Sequence, residues 1–149
     1  MLGRTYPKET CSGARALEIV GERWSLLILR NAIFRQMTRF TDFQQALGLA
    51  PNVLQSRLEL FVEAGLMTQD GREYRLTDAG RDLTSVIVTL TQWGDRWVPH
   101  PEGPPIRFEH TGCGGTLSDG MVCSACQHVV EAADVQAVSL DPGQPRPRR

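Results

Sequence analysis

The residues best equipped for chemistry lie late in the chain. His110, Cys113, Cys123 and Cys126 are spaced as His-x2-Cys, nine residues, then Cys-x2-Cys. Three thiolates and an imidazole in two such pairs suit one tetrahedral zinc ion, a closed site that serves structure rather than catalysis. Gly112, Gly114 and Gly115 permit tight turns between the ligands. The segment has only Leu117, Met121, Val122, Val129 and Val130 to bury, so a metal staple would help it fold. Against this, one pair contains a histidine, and Gln127 follows Cys126 where such turns commonly place glycine. His128 is an alternative ligand. Two other readings stay open: a metal-free β-hairpin packed on the main domain, and a redox Cys-x-x-Cys, which here lacks its βαβ context. Structural zinc is the cofactor expected.

The fourth cysteine, Cys11, precedes a helical segment. Ser12 and the helix start favour a thiolate there, and Arg15 lies one turn on, making Cys11 a candidate redox sensor. A small buried packing residue fits the position equally well. No nucleophile–base pair and no carboxylate pair stand together; Asp78, Asp82 and Asp95 read as charge on a solvated helix. An enzyme is not expected.

The 149 residues carry 16 basic and 17 acidic side chains, an ordinary balance with a formal charge of −1. The local distribution says more. Arg23, Arg30, Arg35, Arg39 and Arg57 share their stretch with a single acid, Asp42. Clustered arginine suits phosphate contact, and equally a solvated surface. No apolar run approaches the roughly 20 residues that span a bilayer. The opening MLGRTYPKET lacks an apolar signal core, so a cytoplasmic protein with no membrane partner is expected.

Periodicity sets out the elements. A helix is predicted from an N-cap at Ser12 to Gly21, and a second from near Glu22, carrying Trp24, Leu27, Ile28 and Ile33. Thr38 to Phe40 read as a short strand or bridge. Thr41-Asp42-Phe43-Gln44 has the form of a capping box opening a short helix that Gly48 stops. Pro51 suits the first turn of the next helix, where Leu54, Leu58, Phe61 and Val62 recur every three or four residues up to Gly65. The period then changes: two strands flank Asp70-Gly71, a hairpin signal. Thr77 caps a last long helix with Leu83, Val86, Ile87, Leu90, Trp93 and Trp97. Two short helices joined by a tight turn and followed by a hairpin make the winged helix-turn-helix plan. The fold class expected is α+β and mostly helical, a winged helix-turn-helix domain over 1–97. A proline-rich linker follows over 98–105, a zinc-ribbon-like cysteine annex with β structure over 106–138, and a disordered tail over 139–149. No internal repeat is evident.

Several linked pieces carry a family resemblance. CSGARALEIVGERWSLLILRNAI, MTRFTDFQQALGLAPNVLQSRLELFVEAGLM, YRLTDAGRDL and TQWGDRW occur in the order found in the HxlR family of winged-helix regulators, which are MarR-like. The resemblance spans Cys11 to Trp97. It implies a sequence-specific DNA-binding transcriptional regulator, a dimeric repressor that responds to a small molecule or a redox signal. Many members carry a reactive cysteine where Cys11 stands, and a longer wing loop than Asp70-Gly71 allows.

The resemblance also implies that the helix opening at Pro51 is the recognition helix. Its buried side at Leu54, Leu58 and Phe61 turns Asn52, Val53 and Ser56 outward, with Gln55 and Arg57 on the flanks. Asn52, Val53, Gln55 and Ser56 are the candidate base readers: Asn and Gln can pair with adenine, and Val can meet a thymine methyl. Arg57 is a candidate phosphate contact or the partner of an internal acid. Arg39, Thr41 and Gln44, near the preceding helix start, are candidates to grip phosphate, as are Arg72 and Arg75 on the wing. Leu83, Ile87, Leu90 and Trp97 are read as partly a dimer surface. A two-fold dimer fits an inverted repeat of double-stranded DNA, with half-sites about 34 Å or a multiple apart. A winged-helix module that binds proteins and not DNA is the alternative.

Overall fold

The computed structural model describes residues 5–118 and 120–138. Those expected to form a disordered tail, 139–149, lie outside them. The chain divides into two compact units, one up to Pro99 and one from His100.

In the first unit, α1 spans Ser12–Val20, α2 Ser25–Phe34, α3 Phe40–Leu47 and α4 Pro51–Glu63. Strands β1 (Met67–Asp70) and β2 (Glu73–Leu76) follow, then α5 (Asp78–Asp82) and α6 (Thr84–Trp97). The apolar stripes predicted from periodicity meet in one core. Ile28 and Leu29 of α2, Phe43 of α3 and Leu54, Leu58 and Phe61 of α4 are completely buried, with Met67, Tyr74 and Ile87 packed around them. Burial of six such side chains, at roughly 1.5–3 kcal/mol each, holds short helices that would not persist alone.

Several starts and stops differ from the sequence reading. Cys11, not Ser12, is the N-cap of α1, and its Sγ accepts the Ala14 N–H at 3.3 Å. Helix α2 begins at Ser25; Glu22 instead accepts the Trp24 N–H through Oε2. The capping box at Thr41 does not form. Helix α3 opens two residues sooner, with Arg39 as N-cap and no side-chain cap, because Thr38 and Arg39 are held extended by the wing. The Tyr74 N–H donates to the Thr38 carbonyl at 2.7 Å, and Arg39 bridges Glu73. The predicted last long helix is two helices, broken at Leu83.

Gly48, at φ +64°, ends α3, and the chain turns through Ala50 into Pro51 at the head of α4. The far end of α4 closes in a Schellman arrangement: Gly65 N–H to the Val62 carbonyl and Leu66 N–H to that of Phe61. The wing is a two-stranded antiparallel hairpin with Met67 opposite Leu76 and Asp70 opposite Glu73. Its loop is therefore Gly71-Arg72 rather than Asp70-Gly71. Only Gly71 takes positive φ, as a II′ turn requires of its first central residue.

Thr77 and Gly80 lock this hairpin to α4. The Thr77 hydroxyl donates to the Gly65 carbonyl at 2.6 Å and accepts the Gly80 N–H at 3.2 Å, while its own N–H donates to Leu66. Gly80 sits so close to the Leu66 carbonyl that a Cβ there would overlap the oxygen. The wing is thus tied to the end of α4 by hydrogen bonds and by this close approach.

In the second unit, β3 (Met121–Val122) and β4 (Val129–Val130) pair antiparallel, and a 3-10 turn follows over Ala132–Asp134. None of its described residues is buried. The five apolar side chains expected to fill an annex core do not: Met121, Val122 and Val129 are all more than half exposed.

Candidate nucleic-acid interface

Helices α3 and α4 and the wing place most of the predicted contacts on exposed or half-exposed positions. Asn52 stands exposed in the first turn of α4, next to Pro51. Gln55, one turn on, is half-buried, and its Nε2 donates to Glu59 Oε1 at 2.7 Å, so base reading by Gln55 has to break an intrahelical bond. Val53 does not turn outward fully: it is half-buried and packs on the core, leaving part of its side chain for a thymine methyl. Ser56 and Arg57 are also half-buried, and the Arg57 guanidinium reaches Ser56 Oγ at 3.4 Å. The internal acid proposed as an alternative partner for Arg57 is not among its contacts with the described residues.

Arg39 and Thr41 are exposed at the start of α3, while Gln44, a turn later, is half-buried. No side chain caps α3, and the dipole at its N-terminus favours a phosphate oxygen there. On the wing, Arg72 is exposed at the hairpin tip. Arg75 is exposed too, but it is ion-paired with Glu73 on the same strand. That pair is a surface one, worth about 0–1 kcal/mol, and a phosphate can compete for the arginine.

The arginine cluster of the sequence does not act as one surface. Arg23 lies over the Trp24 ring, 4.8 Å from its centroid, and Arg30 donates through Nε and Nη2 to the buried Asn31 Oδ1. Those two serve packing; Arg35 and Arg39 are left exposed and Arg57 half-buried, and Arg39 pairs through its main chain with the wing that carries Arg72 and Arg75.

The candidate dimer surface shifts phase. Ile87 is buried and Leu83 is half-buried against the core, so neither is open as Leu90 and Trp97 are. The exposed apolar residues of α6 are Val86, Leu90, Trp93 and Trp97, with Trp97 70% exposed. Val86, Leu90 and Trp93, with Ser85 and Thr89, line an open groove. Sequence reading missed Val86 and Trp93 at this face. Their 4-3-4 spacing with Leu90 and Trp97 was the signal, and two apolar stripes on one helix hid it.

Cys11 is exposed, with its thiol committed to the α1 cap. In the second unit, His110 Nδ1 and Cys113 Sγ are 3.2 Å apart. The Cys123 thiol pKa is lowered, first by backbone N–H groups of Cys126 and Ala125 and then by the Cys126 side chain. Among the described residues no group of three or more His, Cys, Asp and Glu side chains stands ready to hold a metal, so the four predicted ligands form two pairs rather than one cluster. No helix among the described residues is long and apolar enough to cross a membrane.

A family model described as HxlR-like helix-turn-helix matches residues 19–102. The HTH-type transcriptional regulator Rv3095 of Mycobacterium tuberculosis is 46% identical over 131 residues, covering 83% of this chain and 82% of that one. Among solved structures, PA1607, described as a candidate transcription factor, matches with a TM-score of 0.77 at 36% identity, over 90% of this chain and 97% of its own. PA1374 from Pseudomonas aeruginosa, described likewise, gives 0.61 at 31% identity, over 90% of this chain and 95% of its own. Matches of that extent cannot end at Pro99, so they run on into the second unit. With a recognition helix, a wing locked to it and these relatives, the chain belongs to the HxlR-like helix-turn-helix family and is a DNA-binding transcriptional regulator.

Proposed function

We propose that the protein is a homodimeric, sequence-specific repressor that reads an inverted repeat. The observation that carries this is the row Val86, Leu90, Trp93 and Trp97 on α6, apolar and open to solvent at the 4-3-4 spacing of a helix seam. Large aromatic and aliphatic side chains left exposed in a line are costly in a monomer and are removed from water when two such helices pair. Two copies paired through α6 would carry two exposed Asn52 side chains, one for each half-site.

In this reading Arg39, Thr41, Gln44, Arg72 and Arg75 fix the register on phosphates, and Asn52, Val53, Gln55 and Ser56 meet base edges. Arg57 supports the α4 face through Ser56 and reaches phosphate at the flank. A dimer covering its operator excludes polymerase, which makes repression the expected sign. One feature supports a response to a small electrophile or an oxidant: modification of the exposed Cys11 would abolish the sulfur cap of α1. Cytoplasmic residence follows from DNA as the partner.

Selection from a pool of random duplexes at two salt concentrations tests the reading. An enriched inverted repeat with salt-dependent retention is expected; no enrichment and no retention would overturn it in favour of a protein-binding module. For Cys11, DNA release under electrophile stress is expected to be lost in Cys11→Ser, and unchanged release would remove the sensor role.

A further inference from the structure

The two ligand pairs of the second unit are the same local structure, built twice, thirteen positions apart. In the first, the His110 N–H donates to the Gly115 carbonyl and the Gly114 N–H returns to the His110 carbonyl. In the second, the Cys123 N–H donates to the His128 carbonyl and the Gln127 N–H returns to the Cys123 carbonyl. The residue after the second ligand is left-handed both times, Gly114 at φ +72° and Gln127 at φ +60°. Each loop is closed by an antiparallel pair immediately outside it, Glu109 with Thr116 and Val122 with Val129. Only Cys113 and Cys126 coincide in sequence between the two segments, so the repeat is one of backbone, which the residues themselves conceal.

A left-handed glutamine is a rare and strained conformation, and the exposed apolar residues around it supply no core to offset the strain. A ligand would. Within the first loop, His110 Nδ1 and Cys113 Sγ are 3.2 Å apart. Two ligands of one tetrahedral zinc, at about 2.0 Å for nitrogen and about 2.3 Å for sulfur, stand about 3.5 Å apart, close to the observed separation. Gly112 leaves room for the His110 ring lying across the turn, which a Cβ there would approach to 2.9 Å.

We propose that His110 Nδ1, Cys113, Cys123 and Cys126 together bind one structural zinc ion, each turn contributing half of the tetrahedron. The metal draws the two halves together and takes the place of a hydrophobic core. Binding releases the three thiol protons, leaving three thiolates and a neutral imidazole around Zn²⁺, a site of net charge −1.

The test is metal analysis of the full-length protein, with Co²⁺ titration of the chelator-treated form. One zinc per chain is expected in the wild type and in Cys11→Ser. Cobalt should give thiolate charge-transfer bands and the ligand-field absorption of a tetrahedral site. Cys123→Ser/Cys126→Ser should weaken cobalt binding by more than the roughly 100-fold that loss of an outer-shell partner costs. Absence of zinc from the wild type together with no cobalt spectrum would overturn the proposal without recourse to any variant. Loss of binding in His128→Ala but not in His110→Ala would overturn the ligand assignment.

Discussion

Replacing Arg39 or Arg72 by alanine should flatten the salt dependence of DNA binding by a calculable amount. Both side chains are exposed, and neither makes an ion pair with a described residue. The main-chain bridge from Arg39 to Glu73 survives removal of the side chain, so α3 keeps its start. Each lost phosphate contact takes about 0.9 from the slope of log affinity against log salt. In a dimer one substitution removes two contacts, so the slope falls by about 1.8. Between 50 and 200 mM salt the variant should then lose about 12-fold less affinity than the wild type does. Arg75→Ala should flatten it less, because Arg75 already spends part of its charge on Glu73. Glu73→Gln should steepen it. Fluorescence anisotropy with a selected duplex over a salt series reads all four. Unchanged slopes in Arg39→Ala and Arg72→Ala, with helical content intact, would refute the placement of this face against DNA.

Leu90→Arg or Trp93→Arg should convert dimer to monomer in sedimentation and weaken operator binding, since a charge in the centre of an apolar seam is desolvated without a partner; a dimer that persists would exclude the α6 row as the interface. Gly80→Ala should lower stability by about 1–3 kcal/mol in urea denaturation, because the added methyl overlaps the Leu66 carbonyl and must push the wing from α4. Wild-type stability would mean that α5 can shift at no cost. Cys11→Asp should raise stability by about 0.5–1 kcal/mol, since a carboxylate caps α1 better than sulfur does; a loss would show that the thiol is needed for packing.

Apolar periodicity made the core legible. Leu54, Leu58 and Phe61 at helical spacing left one side of α4 to be buried, and that placed Asn52 and Gln55 near the surface before any contact was known. Gly48, Pro51 and Gly65 marked the turn and both ends of α4, because each acts through its own backbone. The order of elements, and with it the winged-helix plan, followed from the same local rules.

What the neighbours impose was not legible. Thr41 satisfies every local requirement of an N-cap, but the wing holds Thr38 and Arg39 extended, and α3 starts where that pairing ends. Helix α6 carries two apolar stripes, and only packing against α2 decided that Ile87 turns inward while Leu90 and Trp93 face out. Arg23 and Arg30 were indistinguishable from Arg39 until packing laid one over the Trp24 ring and buried Asn31 against the other. The spacing of His110, Cys113, Cys123 and Cys126 named four metal-binding side chains by residue type alone. That two dissimilar segments take up one and the same turn was decided by backbone hydrogen bonds, which connect main-chain atoms and leave no mark in the residues they join.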